Sequence, residues 1–149
     1  MGSEVLTRQV SVFLENKSGR LAEVCRILAQ ANINIRGLCV AETSDFGILR
    51  LIVSDPEQAV ASLKASGFAV GEAHVLALEV QDKPGGLAGV LEKLDEAEIN
   101  VEYMYAMVTT AASEAVVLFR VVDEQIEATL RILEANNVHV LPSEHVYSL

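Results

Sequence analysis

Cysteine, basic charge and long apolar runs are all scarce in this chain, and each shortage removes a class of function. Only two cysteines occur in 149 residues, Cys25 in a predicted helix and Cys39 in a predicted strand, with no C-x-x-C pair. Two small buried apolar side chains are expected, and disulfide, redox and zinc roles fall away. Eleven basic residues stand against 21 acidic ones, for a net charge of −10, and they are scattered rather than striped. A phosphate backbone needs a positive footprint, so nucleic acid is excluded as a partner. Although 51% of the residues are hydrophobic, no stretch approaches a membrane span, and Met1-Gly2-Ser3-Glu4 lacks the basic start and apolar core of a signal peptide. The expectation is a cytoplasmic protein with no membrane partner.

Catalytic and metal-binding sets are missing too. His74, His139 and His145 lie on or beside predicted strands with no thiol or carboxylate at ligand spacing, so neither a metal nor a cofactor is expected. Ser11, Ser18, Ser44 and the scattered carboxylates form no nucleophile with a base and no acid pair, so the chain does not read as an enzyme. The central strand Ile48-Leu49-Arg50-Leu51-Ile52-Val53 carries no aromatic platform for RNA bases.

What is present is a duplication. At an offset of 66, Lys17 to Asn34 and Lys83 to Asn100 share nine residues in eighteen. Lys, Gly, Leu, Ala, Val, Leu, Ala, Ile and Asn recur at 17/83, 19/85, 21/87, 22/88, 24/90, 28/94, 31/97, 33/99 and 34/100. The chain therefore reads as two small domains, residues 5–72 and 73–149, each near the lower limit for an independent core and each expected to lean on the other.

Both copies carry the same periodic signals. Val10, Val12 and Leu14, like Leu76, Leu78 and Val80, alternate with other residues and predict strands. Leu21, Val24, Cys25, Leu28 and Ala31, like Leu87, Val90, Leu91, Leu94 and Ala97, fall at helical spacing and predict helices starting just after Gly19 and Gly85. Second strands run from the Asn34 and Asn100 segments to about Ala41 and Thr109. Third strands follow at Ile48 to Val53 and Ala115 to Val122. Asp55 with Pro56, and Asp123, offer N-cap oxygens for second helices. Short final strands, Phe68 to Val70 and Val138 to Leu141, follow Gly67 and Asn137, both suited to a left-handed helix exit. The order β-α-β-β-α-β, twice, predicts an α+β fold of two ferredoxin-like sandwiches with antiparallel sheets and helices on one face. Phe13, Leu38, Val40, Leu49, Leu51 and Val53 read as apolar on both faces, so a paired sheet and a homodimer are expected.

A ferredoxin-like fold does not name a function; its site must do that. Two turns stand out, Asn16-Lys17-Ser18-Gly19-Arg20-Leu21 and Asp82-Lys83-Pro84-Gly85-Gly86-Leu87, together with Asn34-Ile35 and Asn100-Val101. Each turn opens a helix whose free N–H groups and partial positive charge favour a small carboxylate. The side-chain oxygen of Asn16 or Asp82 can accept from an ammonium group. Together they offer partners for both poles of an α-amino acid. A structural reading stands beside this one: the glycines serve the tight turn, Leu21 and Leu87 fill the core, Asn34 and Asn100 are turn residues, and Asn16 and Asp82 are N-caps.

These residues resemble the ACT domain family. Its pattern is an acidic or amide residue followed by x-P-G-x-L, then hydrophobic-Asn-hydrophobic. It stands in full as Asp82-Lys83-Pro84-Gly85-Gly86-Leu87 with Ile99-Asn100-Val101. With Ser18 in place of proline, it stands also as Asn16-Lys17-Ser18-Gly19-Arg20-Leu21 with Ile33-Asn34-Ile35. The resemblance implies a non-catalytic regulatory protein of amino-acid metabolism that binds a free amino acid between side-by-side domains, with a metabolic enzyme as its target. The other reading is a ligand-free dimerisation module that binds a partner enzyme.

Overall fold

The computed structural model describes residues 3–107 and 114–149, and the chain divides into two compact units. The first is built on Arg8–Ala73; the second is built on His74–Tyr147 and takes in the N-terminal residues through Thr7. The first contains β1 (Thr7–Glu15), α1 (Arg20–Gln30), β2 (Ile35–Glu42), β3 (Phe46–Val53), α2 (Pro56–Ala65) and the start of β4 (Ala69–Gln81). β3 lies between β1 and β2 and runs antiparallel to both, with Leu49 opposite Val12 on one side and Val40 on the other. The second contains the rest of β4, α3 (Gly86–Glu96), β5 (Tyr103–Ala106), β6 (Glu114–Arg120), α4 (Ile126–Ala135) and α5 (Ser143–Tyr147). Here β6 is the central strand, with Leu78 of β4 opposite Val117 and Tyr105 of β5 opposite Leu118. Each unit is an α+β sandwich of the ferredoxin-like kind.

The period-two and helical stripes meet as the spacing predicts. In the first unit Val10, Val12 and Leu14 join Leu49, Leu51 and Val53 against Val24 and Leu28 of α1 and Ala59 and Leu63 of α2. In the second, Leu76, Leu78 and Val80 join Val117 and Phe119 against Val90, Leu94 and Leu133. Burying one such side chain contributes about 1.5–3 kcal/mol, so these stripes outweigh every surface ion pair in the molecule.

Among the described residues, the four long helices end the same way. The residue after the last turn is left-handed, at Asn32 (φ 59°), Gly67 (φ 89°), Glu98 (φ 59°) and Asn137 (φ 58°). The next N–H reaches back five residues, Ile33 to the Leu28 carbonyl, Phe68 to Leu63, Ile99 to Leu94 and Val138 to Leu133. This satisfies carbonyls that the helix end would otherwise leave bare. Gly67 and Asn137 are legible as exits in the sequence; Glu98 is not, because glutamate carries no left-handed preference.

Several expectations require correction. Phe68 to Val70 is not a separate short strand: β4 runs unbroken from Ala69 to Gln81, since no proline or turn interrupts it. At its start, a Cβ on Gly71 would lie 3.6 Å from the Phe13 ring. Val138 to Leu141 forms only an isolated bridge, Leu78 with Val140, flanked by hydrogen bonds from Glu79 N–H to the His139 carbonyl and from Leu141 N–H to Ala77. Pro142 then gives way to α5, which buries Val146 and has no counterpart in the first copy. Asp55 caps α2 as predicted, accepting from Gln58 N–H at 3.1 Å. Asp123 caps nothing, because its carboxylate is drawn to Arg120 at 3.0 Å and the chain makes a 3-10 turn, Asp123–Gln125, before α4. Cys25 is exposed, as α1 buries the Val24 and Leu28 line instead, and Cys39 on β2 is half-buried. Leu49, Leu51 and Val53 share one parity and all face the helices, so Phe13 rather than they marks the opposite face. Leu38 and Val40 lie opposite Leu51 and Leu49 on the helix side, yet remain 51% and 45% exposed on β2, where β3 is the only partner within the described residues. The expected end of the second strand at Thr109 lies outside the described residues.

Candidate functional site

Each candidate turn leaves a strand and enters a helix through a left-handed glycine. Gly19 (φ 91°) precedes α1 and Gly85 (φ 86°) precedes α3, and in neither case does a side chain cap the helix start. A Cβ at such a φ is strained whatever the space around it, so this glycine is a requirement of the turn. The N-cap reading of Asn16 therefore fails. Its backbone N–H donates to the Asp45 carbonyl at 2.8 Å, and its side-chain Nδ2 donates to the carbonyls of Thr43 (3.1 Å) and Ser44 (3.4 Å), tying the turn to the β2–β3 hairpin. The helix begins four residues later, at Arg20, with Gly19 in the N-cap position and no side-chain cap. Counterparts of Thr43 and Ser44 near Asp82 would fall in 108–113, outside the described residues.

The two turns differ in what fills them. In the first, Arg20 donates to Glu23 at 2.9 Å and to Glu15 at 3.0 Å, and Lys17 lies 3.6 Å from Glu15. The hydrogen bonds to Glu23 and Glu15 raise the guanidinium pKa above its ordinary value. Leu21, expected in the core, is 46% exposed, because α1 reaches the core only from Val24 onward. In the second turn, Gly86 N–H donates to the Lys83 carbonyl at 3.0 Å, where the equivalent Arg20 bond is 3.4 Å. The tighter winding leaves no room for a side chain: a Cβ on Gly86 would sit 2.1 Å from the Gln81 carbonyl oxygen. Leu87 packs on the second core, as expected.

Beside this turn lies a cavity of about 640 Å³. Of the candidate residues, Lys83, Pro84, Gly85 and Gly86 line it, with Gly89, Val90 and Lys93 of α3 continuing the wall. Asp82, Leu87, Asn100 and Val101 do not line it. Asn34 is held at the other end of its unit, its N–H donating to Ser54 Oγ at 2.9 Å and its carbonyl accepting from Ser54 N–H at 2.9 Å. The turn role anticipated for Asn34 and Asn100 belongs to Asn32 and Glu98, two residues earlier. Among the lining residues absent from the candidate set are three titratable ones from outside the turn and α3, Glu79, Glu114 and His139. Glu79 sits 3.4 Å from His139 Nε2. Its parity, opposite to the core residues Leu78 and Val80, is visible in the sequence, but the partners come from β6 and from the bridge segment, which no spacing rule connects.

A hydrogen bond between Glu114 and Glu79, reinforced by their like charge, raises the pKa of the Glu114 carboxyl, while His139 pulls it the other way. A carboxyl whose folded-state pKa is raised contributes its stability below the unfolded value, near 4.5, and loses it as pH rises through the folded value. Glu114→Gln is expected to flatten that loss, so that the variant gains on the wild type as pH climbs above 4.5. Urea midpoints across that range check it; parallel curves for the two proteins would remove the pair from the pH response. Among the described residues, no cluster of three or more His, Cys, Asp or Glu is placed to hold a metal ion, and no helix is long and apolar enough to cross a membrane.

A family model described as an ACT domain pair matches residues 5–147. The chain belongs to the ACT domain family. This ACT pair is similar, at 41% identity and TM-score 0.90, to protein BT0572 from Bacteroides thetaiotaomicron, over 97% of this chain and 98% of that one. The fold is shared with the regulatory subunit of aspartate kinase from Thermus thermophilus in its ligand-free form, at 15% identity and TM-score 0.65, covering 91% and 95% of the two chains. It is shared also with the corresponding subunit from Thermus flavus, at 16% identity and TM-score 0.60, covering 86% and 90%. No curated protein matches the chain.

Proposed function

We propose that this ACT pair is a non-catalytic, cytoplasmic regulatory protein that binds a free amino acid and passes the signal to a metabolic enzyme through subunit contacts. The observation that carries the reading is the cavity at the Pro84-Gly85-Gly86 turn, which has two poles. On one side is a helix start without a side-chain cap, whose first N–H groups and partial positive charge suit a carboxylate. On the other are Glu79 and Glu114, which suit an ammonium group. A zwitterion satisfies both at once.

If one amino acid binds only the folded state, about 100 times its dissociation constant stabilises the protein by ~2.7 kcal/mol. At ~2–4 °C per kcal/mol for a chain of this size, the midpoint should rise by roughly 5–10 °C with one or two of the twenty amino acids. No shift above about 1 °C with any of them at millimolar concentration would overturn the reading. A ligand-free dimerisation module is then the reading that remains, and one observation favours it: Phe13, Leu38, Val40 and Phe46 are 50%, 51%, 45% and 63% exposed. Light scattering that gives the monomer mass of 16.1 kDa at micromolar concentration would count against a homodimer in either case.

A further inference from the structure

We propose that the two turns are unequal: the turn opening α3 binds, and the turn opening α1 is closed by its own side chains. The proposal rests on the amino-acid reading above and says which copy it applies to. At the offset of 66 residues, Glu15, Arg20 and Glu23 correspond to Gln81, Gly86 and Gly89. In the first copy those three positions make one bridge, the Arg20 guanidinium spanning from Glu15 at the end of β1 (3.0 Å) to Glu23 in the first turn of α1 (2.9 Å). In the second copy all three positions line the cavity, and two of them have no side chain at all.

The chemistry of the closure follows. A guanidinium held by two carboxylates across the helix start occupies the ground a ligand carboxylate would take. It also engages Glu15 and Glu23, the acids nearest the turn, and because the positions of Glu79 and Glu114 hold Phe13 and Phe46 in the first copy, Glu15 is the carboxylate that opening the bridge would offer to an ammonium group. An arriving amino acid would have to displace a charge-assisted bridge, whereas at Gly86 and Gly89 the described residues present it with backbone alone. The stoichiometry is therefore one amino acid per chain.

The test is a titration of the ¹⁵N-labelled full chain with each of the twenty amino acids separately at millimolar concentration, following backbone amides. Shifts at Gly85, Gly86 and Gly89 with Gly19 silent are the expected result. Equal responses at Gly19 and Gly85 would overturn the inequality while leaving the amino-acid reading intact; silence at both turns with all twenty would overturn both. The double variant R20G/E23G should make Gly19 respond and raise the calorimetric stoichiometry toward two. A first turn that stays silent in that variant, with the second turn still responding, would overturn the assignment of the closure to Arg20.

Discussion

A methyl group at Gly86 should collapse the binding turn. Gly86→Ala places a Cβ 2.1 Å from the Gln81 carbonyl oxygen and 3.1 Å from its carbon, and both are backbone, so no rotamer change relieves the contact. The turn has to unwind toward the looser form seen at Arg20, where the equivalent N–H to carbonyl bond is 3.4 Å rather than 3.0 Å. Overpacking of this kind costs about 1–3 kcal/mol, which lowers the midpoint by roughly 2–12 °C. The shift given by the responding amino acid should disappear with it, since the moved backbone is the cavity wall. Gly89→Ala is the control: a Cβ there meets nothing within 4 Å, so stability should hold. A Gly86→Ala protein as stable and as responsive as the parent would show that the turn is not held against Gln81.

The repeat made most of the architecture legible. Strand parity and helical stripes are local properties, and a second copy of each checks the first, so the cores around Leu28 and Leu94 follow from spacing alone. The misreadings come where the copies diverge or where a partner is distant in sequence. β4 serves as the last strand of one copy and the first of the next, which looks like two strands when each copy is read by itself. The short α5 has no repeat partner to reveal it. Asp123 has the right type for a cap but lies three residues from Arg120, and its carboxylate is taken by that guanidinium at the start of a 3-10 turn. At the site, the turn glycines were readable because a helix start after a strand needs them. Glu114 and His139 were not, because only the folded sheet brings β6 and the bridge segment beside Glu79.

The same equivalence between copies carries the largest stability prediction. Leu28 and Leu94 occupy matching positions in α1 and α3, 0% and 1% exposed, each packed in the core of its own unit. Truncation to alanine removes the buried methyl groups and leaves a cavity that the surrounding strands fill only in part, at a cost of about 2–5 kcal/mol. Leu94→Ala and Leu28→Ala should therefore each lower the midpoint by roughly 4–20 °C in calorimetry. Their effects on ligand response should differ. Leu94 anchors α3, whose first turn is the cavity wall, so Leu94→Ala should loosen the wall and weaken the amino-acid shift. Leu28 anchors α1, whose turn is closed by Arg20, so Leu28→Ala should leave the size of that shift unchanged on its lowered baseline. A loss below 1 kcal/mol at either leucine would contradict the packing described for that unit. Equal weakening of the ligand shift by both would mean that the two helix starts act on the ligand together.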